Sequence, residues 1–244
     1  MITKSQVKHI QSLADKKCRI ECGEFALEGE KLVHEVLSSA FRIHALYALP
    51  AWLDAHENDS RLNGIALHAV SPSEMARISF LKTPSPVLAV VGLPTHSLGT
   101  PSKQAILLDT LQDPGNLGTI IRIADWYGIS SIYLFGACAD PWQPKCIQST
   151  MGSFLRVNLT SLTNVNEVQQ LPFTNRFAAI LNGLPPNNAF IHQPGLLMIG
   201  NESKGLNPQL QALCTHPITL PRVGGAESLN AAVATGILCH VWIC

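Results

Sequence analysis

Apolar positions along this chain recur at two periods, and the periods alternate. In "SQVKHIQSLADKK" Val7, Ile10 and Leu13 fall on one helical face. "EFALEG" reads as a strand. "EKLVHEVLSS" returns to helical spacing through Leu32, Val33, Val36 and Leu37. "RIHALYAL", "GIALHAV" and "PVLAVVGL" are strand-like. Between the last two, "SPSEMARI" carries a helix start: Ser71 as N-cap, Pro72 at the first helical position and Glu74 closing a capping box.

The periodicity stops at "PTHSLGTPSK", where prolines, glycine and small polar residues predict a linker, placed at 96–103. Beyond it the strands change character. "AILLDTL", "SIYLF", "RFAAIL" and "GLLMIG" are continuous apolar runs bounded by turn residues. Such runs belong in a parallel sheet covered on both faces. "TIIRIADWYG" is helical and ends at Gly128, a natural C-cap. The pattern predicts two α/β domains, residues 1–95 and 104–244.

Composition narrows the class. With 46% hydrophobic and 14% charged residues, the chain is globular rather than disordered. A formal net charge of zero argues against wholesale coating of nucleic acid and leaves room for a local basic patch. Lys4, Lys8, Lys16, Lys17 and Arg19 make such a cluster against one acid, Asp15. The seven cysteines are scattered without a CxxC pair, and the histidines show no HxxxH, so reduced thiols and no metal site are expected. The first residues lack a signal-peptide run, and "AAVATGILCHVWIC" is shorter than the ~20 residues needed to span a bilayer. A cytoplasmic protein without membrane contact is expected.

Ligands of open α/β sheets bind beyond the carboxyl ends of strands, and three such ends carry unusual residues. "DTLQDPGNLGTIIR" turns at Pro114–Gly115, with Asn116 able to cap a helix starting near Leu117. It matches neither GxxxxGK nor GxGxxG. Arg122 follows among isoleucines, in a helix expected to be mostly buried, where an arginine requires a carboxylate or phosphate partner. "LLMIGNESKGLNP" ends a deep strand at Gly200, a position where a ligand could touch the backbone, and places Glu202 in the turn. "ITLPRVGGAESLN" ends a short strand at Pro221, runs through a flexible loop and offers Ser228 or Asn230 as cap of an apolar helix.

Taken singly, each loop is also compatible with an ordinary connection. Together, "NLGTIIRIA", "GNESKGL" and "LPRVGGAESLN" resemble the three motifs of the SpoU (TrmH) family of SPOUT RNA methyltransferases, over roughly residues 104–243. "KKCRIECGEFALEGEKLVHEVL" is similar to the start of the RNA-binding domain that precedes the catalytic domain in many members. The resemblance implies a parallel sheet with a deep trefoil knot, preceded by a small α/β RNA-binding domain, and a homodimer. It implies methyl transfer from S-adenosylmethionine to a ribose 2′-OH of ribosomal or transfer RNA, without a metal.

The implied catalytic residues are Asn116, Arg122, Glu202, Ser228 and Asn230, with Glu202 pairing Arg122 or the ribose. The cofactor would lie against Leu181, Asn182, Gly183, Gly200, Ile218, Leu220, Ser228 and Leu229, with Ile218 and Leu220 facing the adenine. Lys16, Lys17 and Arg19 would contact RNA phosphates. Arg222, Ser203 and Glu227 depart from the family pattern. Two rival readings stand beside this one: an RNA-binding protein that kept the fold without catalysis, and a related enzyme methylating a base nitrogen. The "SLN" of the third motif favours ribose.

Overall fold

The computed structural model describes residues 2–94, 102–187 and 190–244. The linker expected at 96–103 lies almost wholly outside them. The chain forms two compact units. One takes in the residues up to 96 together with Asp140–Leu155, and the other 97–139 and Arg156–Cys244.

The first unit runs α1 (Lys4–Ser12), α2 (Lys16–Cys22), β1 (Glu24–Glu28), α3 (Glu30–Leu37), β2 (Ile43–Ala48), α4 (Pro50–Ala55), β3 (Ala66–Ala69), α5 (Pro72–Ile78) and β4 (Val87–Gly92). Its sheet has the order β1-β4-β2-β3, with β4 antiparallel to both neighbours and β3 parallel to β2. The capping box at Ser71–Glu74 is present, and Glu74 also accepts from the Ile2 N–H. The single amphipathic helix expected across residues 5–17 is instead two. Asp15 accepts from the Lys17 and Cys18 N–H groups, capping α2, and Gly23 closes it at φ 68°.

Asp140–Leu155 packs into this same unit. Arg19, expected on the surface against RNA, is only 2% exposed. Its Nε donates to Asp140 Oδ2 at 3.1 Å, its second terminal nitrogen donates to the same oxygen, and its other terminal nitrogen donates to the Leu13 carbonyl. In the same unit Phe25, Phe41, Trp142 and Phe154 pack edge-on and tilted against one another, with centroids 5.1–6.3 Å apart. The buried ion pair therefore belongs to the core of the unit, and Arg19 is removed from the candidate RNA contacts. Lys16 and Lys17 are exposed.

The second unit runs β5 (Gln104–Asp109), α6 (Pro114–Trp126), β6 (Ser131–Phe135), β7 (Asn158–Leu162), α8 (Val165–Gln169), β8 (Arg176–Leu184), β9 (Gly195–Ile199), α9 (Pro208–Gln211), β10 (His216–Ile218) and α10 (Ala231–Ile243); α7 (Pro144–Thr150) falls in the first unit. The sheet is parallel throughout, in the order β10-β8-β9-β5-β6-β7. Three of the four continuous apolar runs, β5, β6 and β9, are central strands buried on both sides, whereas β8, from "RFAAIL", is buried only near its start. After β10 the chain returns to lay α10 beside α6. Asn230 meets Asn116, Gly236 lies against Ile123, and the Tyr127 and His240 rings are 6.2 Å apart, so the two helices run in the same direction. The far end of α10 meets the segment between β8 and β9: the His192 N–H donates to the Trp242 carbonyl, and the Trp242 indole N–H to the Gln193 carbonyl.

No helix among the described residues is long and apolar enough to cross a membrane. Among the same residues no group of three or more metal-ligating side chains occurs.

Candidate active site

The carboxyl ends of β5 and β9 and the approach to α10 bring the three loops together. Local capping decides which side chains are left for the site. Asp113, rather than Asn116, caps α6, accepting from the Asn116 N–H at 2.7 Å, with Pro114 at the first helical position. This frees the Asn116 side chain. Its Nδ2 donates to Glu202 Oε1 at 2.9 Å, and its Oδ1 accepts from Asn230 Nδ2 at 2.9 Å. Asn230 is the cap of α10, its Oδ1 accepting from the Ala232 and Val233 N–H groups. One residue from each loop thus joins a chain Glu202–Asn116–Asn230.

Arg122 is placed differently from expectation. It is exposed and makes no ion pair or hydrogen bond among the described residues. Leu117, Ile120, Ile121 and Ala124 form the buried face of α6, while Thr119, Arg122 and Trp126 share the opposite one. Glu202 is bound to Asn116, not to Arg122. The exposed Ser228 also has no hydrogen-bond partner among the described residues, and all of Pro221–Asn230 is exposed. Arg222 bonds within that loop, to the Ala226 carbonyl at 3.2 Å.

The residues expected to cradle a cofactor gather in part. Gly183 abuts the Ile218 backbone so closely that a Cβ would lie 2.5 Å from the Ile218 carbonyl carbon. Thr219 donates its N–H to the Leu184 carbonyl and its hydroxyl to that of Leu181. Gly200 directly follows β9, the strand beside β8. Its missing side chain makes room not for a ligand but for the Gly205–Leu206 backbone, 2.3 Å from where a Cβ would stand. Ile218 is 4% exposed, so its side chain belongs to the core. Leu181 at 74%, Leu184 at 64% and Leu229 at 49% are the exposed apolar side chains of these segments.

Three neighbours were not singled out in the sequence. Asp109 ends β5 at 3% exposure, Thr110 follows at φ 54°, and Asn201 opens the turn that carries Glu202. A β-branched residue at positive φ costs about 1–3 kcal/mol and persists only where its surroundings hold it. The signals were an acid closing a wholly apolar strand and an asparagine directly after the strand-ending glycine. Burial pushes up the thiol of nearby Cys138, the Asp109 charge adding to the effect; its Sγ donates to the Leu108 and Phe135 carbonyls.

A parallel α/β sheet with polar loops gathered at its strand ends defines a class of ligand-binding α/β domains. Residues 103–240 match the model of the SpoU rRNA Methylase family, and residues 4–89 that of the MRM3-like substrate binding domain. The chain belongs to the SpoU rRNA methylase family. It is 31% identical to the 23S rRNA (guanosine(2553)-2′-O)-methyltransferase RlmP of Bacillus subtilis, over 96% of this chain and 94% of that one. Among solved structures, a TrmH-family protein from Porphyromonas gingivalis shares 35% identity at a TM-score of 0.86, covering 99% of this chain and 98% of that one. An rRNA methyltransferase from Sinorhizobium meliloti with bound AdoMet shares 29% identity at a TM-score of 0.86, covering 98% and 94%.

Proposed function

We propose that this protein transfers a methyl group from S-adenosylmethionine to a ribose 2′-hydroxyl of ribosomal RNA. The observation that carries the proposal is the Glu202–Asn116–Asn230 chain, which unites the three family motifs at one end of the parallel sheet. When bound, the cofactor supplies an electrophilic methyl on a sulfonium. The exposed Leu181 and Leu229, with the exposed Asn182 and half-buried Leu220, suit a ligand with an apolar face and hydrogen-bonding edges. Ser228, on the exposed loop, offers a hydroxyl that has no partner among the described residues.

The acceptor hydroxyl must lose its proton as the methyl moves. A guanidinium is no proton acceptor, so the part of Arg122 is to hold a phosphate of the RNA and balance developing charge. With no anion paired to it among the described residues, its guanidinium is available for that contact. The polar chain through Asn116 holds the loops and presents the Glu202 carboxylate at a fixed place. Lys16 and Lys17, on the exposed side of α2, supply phosphate contacts from the first unit, which we read as the RNA-holding domain. Work on ribosomal RNA would place the enzyme in the cytoplasm.

We further read the C-terminal segment as threaded into a trefoil knot. Support comes from α10, held between α6 and the segment joining β8 to β9. The homodimer rests on a surface: Trp126 is 83% exposed on α6, and Val233 and Ile237 are exposed along the adjoining α10. An apolar patch of this kind calls for a partner, and a second copy of the chain is the one the family reading supplies. Trp126→Arg is expected to sediment as a monomer at micromolar concentration with an unchanged circular dichroism spectrum, where the natural chain sediments as a dimer. A monomeric natural chain would sink the dimer.

The activity is tested by incubating the protein with S-adenosylmethionine and unmodified ribosomal RNA, then mapping modified nucleotides. A protein-dependent 2′-O-methyl at a defined nucleotide is expected. Tight RNA binding without methyl transfer would return the chain to a non-catalytic role, and methyl on a base nitrogen would change the reaction.

A further inference from the structure

We infer that Asp109, Thr110 and Asn201 form a positioning node that sets the motif chain for methyl transfer, an inference that rests on the activity proposed above. The motif-two turn is fastened to the end of β5 at two points. Asn201 Nδ2 donates to the Thr110 carbonyl at 2.9 Å, and the Asn207 N–H donates to Asp109 Oδ2 at 2.6 Å. The two anchors bracket the turn that carries Glu202. Within it, Asn201 Oδ1 accepts from the Ser203 and Lys204 N–H groups, while Asn201 and Gly205 exchange backbone bonds at 3.0 and 2.9 Å. The receiving side is equally fixed: the Thr110 hydroxyl donates to Asp109 Oδ1 at 2.8 Å, and the Thr110 N–H donates to the Phe135 carbonyl at 2.9 Å.

Fold stability alone does not account for this arrangement. Asp109 is a buried carboxylate with no cation among the described residues. A neutral amide would fill the same space, its oxygen accepting from the Asn207 N–H and its nitrogen donating to a Thr110 hydroxyl turned round to accept. A carboxylate instead makes the shorter, charge-assisted bond to the Asn207 N–H. Thr110 likewise holds a backbone conformation that glycine would adopt without strain. Both costs fall where the motif-two turn is registered against the start of the motif-one loop, four and three residues before its Asp113 cap. The consequence is the separation between Glu202 and Asn116, and misplacement by about 1 Å near a reacting centre costs roughly 100-fold in rate.

The test uses two variants of the full chain. Asn201→Asp keeps the oxygen that accepts from Ser203 and Lys204 but replaces the donor to Thr110 with a second oxygen. It should slow single-turnover methyl transfer roughly 30- to 100-fold, with cofactor affinity within threefold and the unfolding midpoint unchanged. Asp109→Asn keeps the volume, weakens the bond to the Asn207 N–H and reverses the one to the Thr110 hydroxyl without losing either, so a smaller loss is expected. Because the two act as one unit, the double variant should be no slower than Asn201→Asp alone. Independent of activity, the Asn116 side-chain amide resonance, assigned as the signal missing in Asn116→Ser, should move toward the free-asparagine position in Asn201→Asp.

An unmoved Asn116 resonance overturns the node, whether or not the natural chain methylates RNA. So do a rate for Asn201→Asp within twofold of the natural chain, or losses that multiply in the double variant. Absence of methylation by the natural chain itself would count against the activity and leave the resonance to decide the node. If Asp109→Asn fails to fold, Asn201→Asp, at a half-buried position, decides alone.

Discussion

Arg122→Ala is expected to slow single-turnover methylation by roughly 30- to 1,000-fold, the loss of about 2–4 kcal/mol of transition-state stabilisation when one well-placed charged contact is removed. The fold should not notice. Arg122 is exposed, bonds to nothing among the described residues and lies opposite the buried face of α6, so its removal should change stability by no more than about 0.5 kcal/mol. Nor does its loss orphan Glu202, whose carboxylate is held by Asn116 at 2.9 Å. Arg122→Lys separates charge from shape: the ammonium keeps the positive charge and loses the planar fork that grips a phosphate at two points. Lysine should therefore recover only a small part of the rate. Cofactor affinity, read by calorimetry, should stay within a few-fold in both variants. Near-natural rates for both would leave Arg122 as an ordinary surface arginine.

The environment of Arg122 was more legible in the sequence than the isoleucines around it suggested. Four consecutive positions, Ile120 to Ile123, look uniformly apolar apart from the arginine, yet a helix sorts them by angle. Thr119, Arg122 and Trp126 are spaced three and four apart and share the outer face, and counting that period exposes Arg122 at once. The central parallel strands were legible because burial on both faces leaves long apolar runs. The identity of the site residues was legible through their motifs. Their partners were not. Asn116 finds Glu202 86 residues away and Asn230 114 residues away, and no local period carries such pairings. The capping of α6 went unread for a smaller reason: Asp113 and Asn116 are both good caps, and only the backbone shows that Asp113 takes the role and releases Asn116. Arg19 was misplaced by the same logic that found the basic cluster. Lys16, Lys17 and Arg19 are neighbours in sequence, but on α2 the arginine turns inward to an aspartate 121 residues on.

That division between neighbours yields an opposed pair of outcomes. Arg19→Ala removes one partner of an ion pair whose side chains are 3% and 11% exposed, leaving Asp140 buried without its counter-charge. Breaking such a pair from one side costs about 3–5 kcal/mol. Urea denaturation followed by circular dichroism should show the loss as a lower midpoint for the first unit. Asp140→Ala should cost a comparable amount, and the double variant less than the sum of the two, because the second substitution removes a charge the first has stranded. Lys16→Glu with Lys17→Glu should do the reverse. Both lysines are exposed, and the Lys17–Glu21 contact at 3.8 Å is a surface pair of little worth, so stability should hold within about 0.5 kcal/mol. Affinity for ribosomal RNA should fall, and the slope of its logarithm against the logarithm of salt concentration should flatten by about one to two as those phosphate contacts are lost. Unaltered RNA affinity and salt slope in the lysine pair would take α2 out of the RNA-binding surface. An Arg19→Ala chain as stable as the natural one would mean that Asp140 is not held as the buried geometry requires.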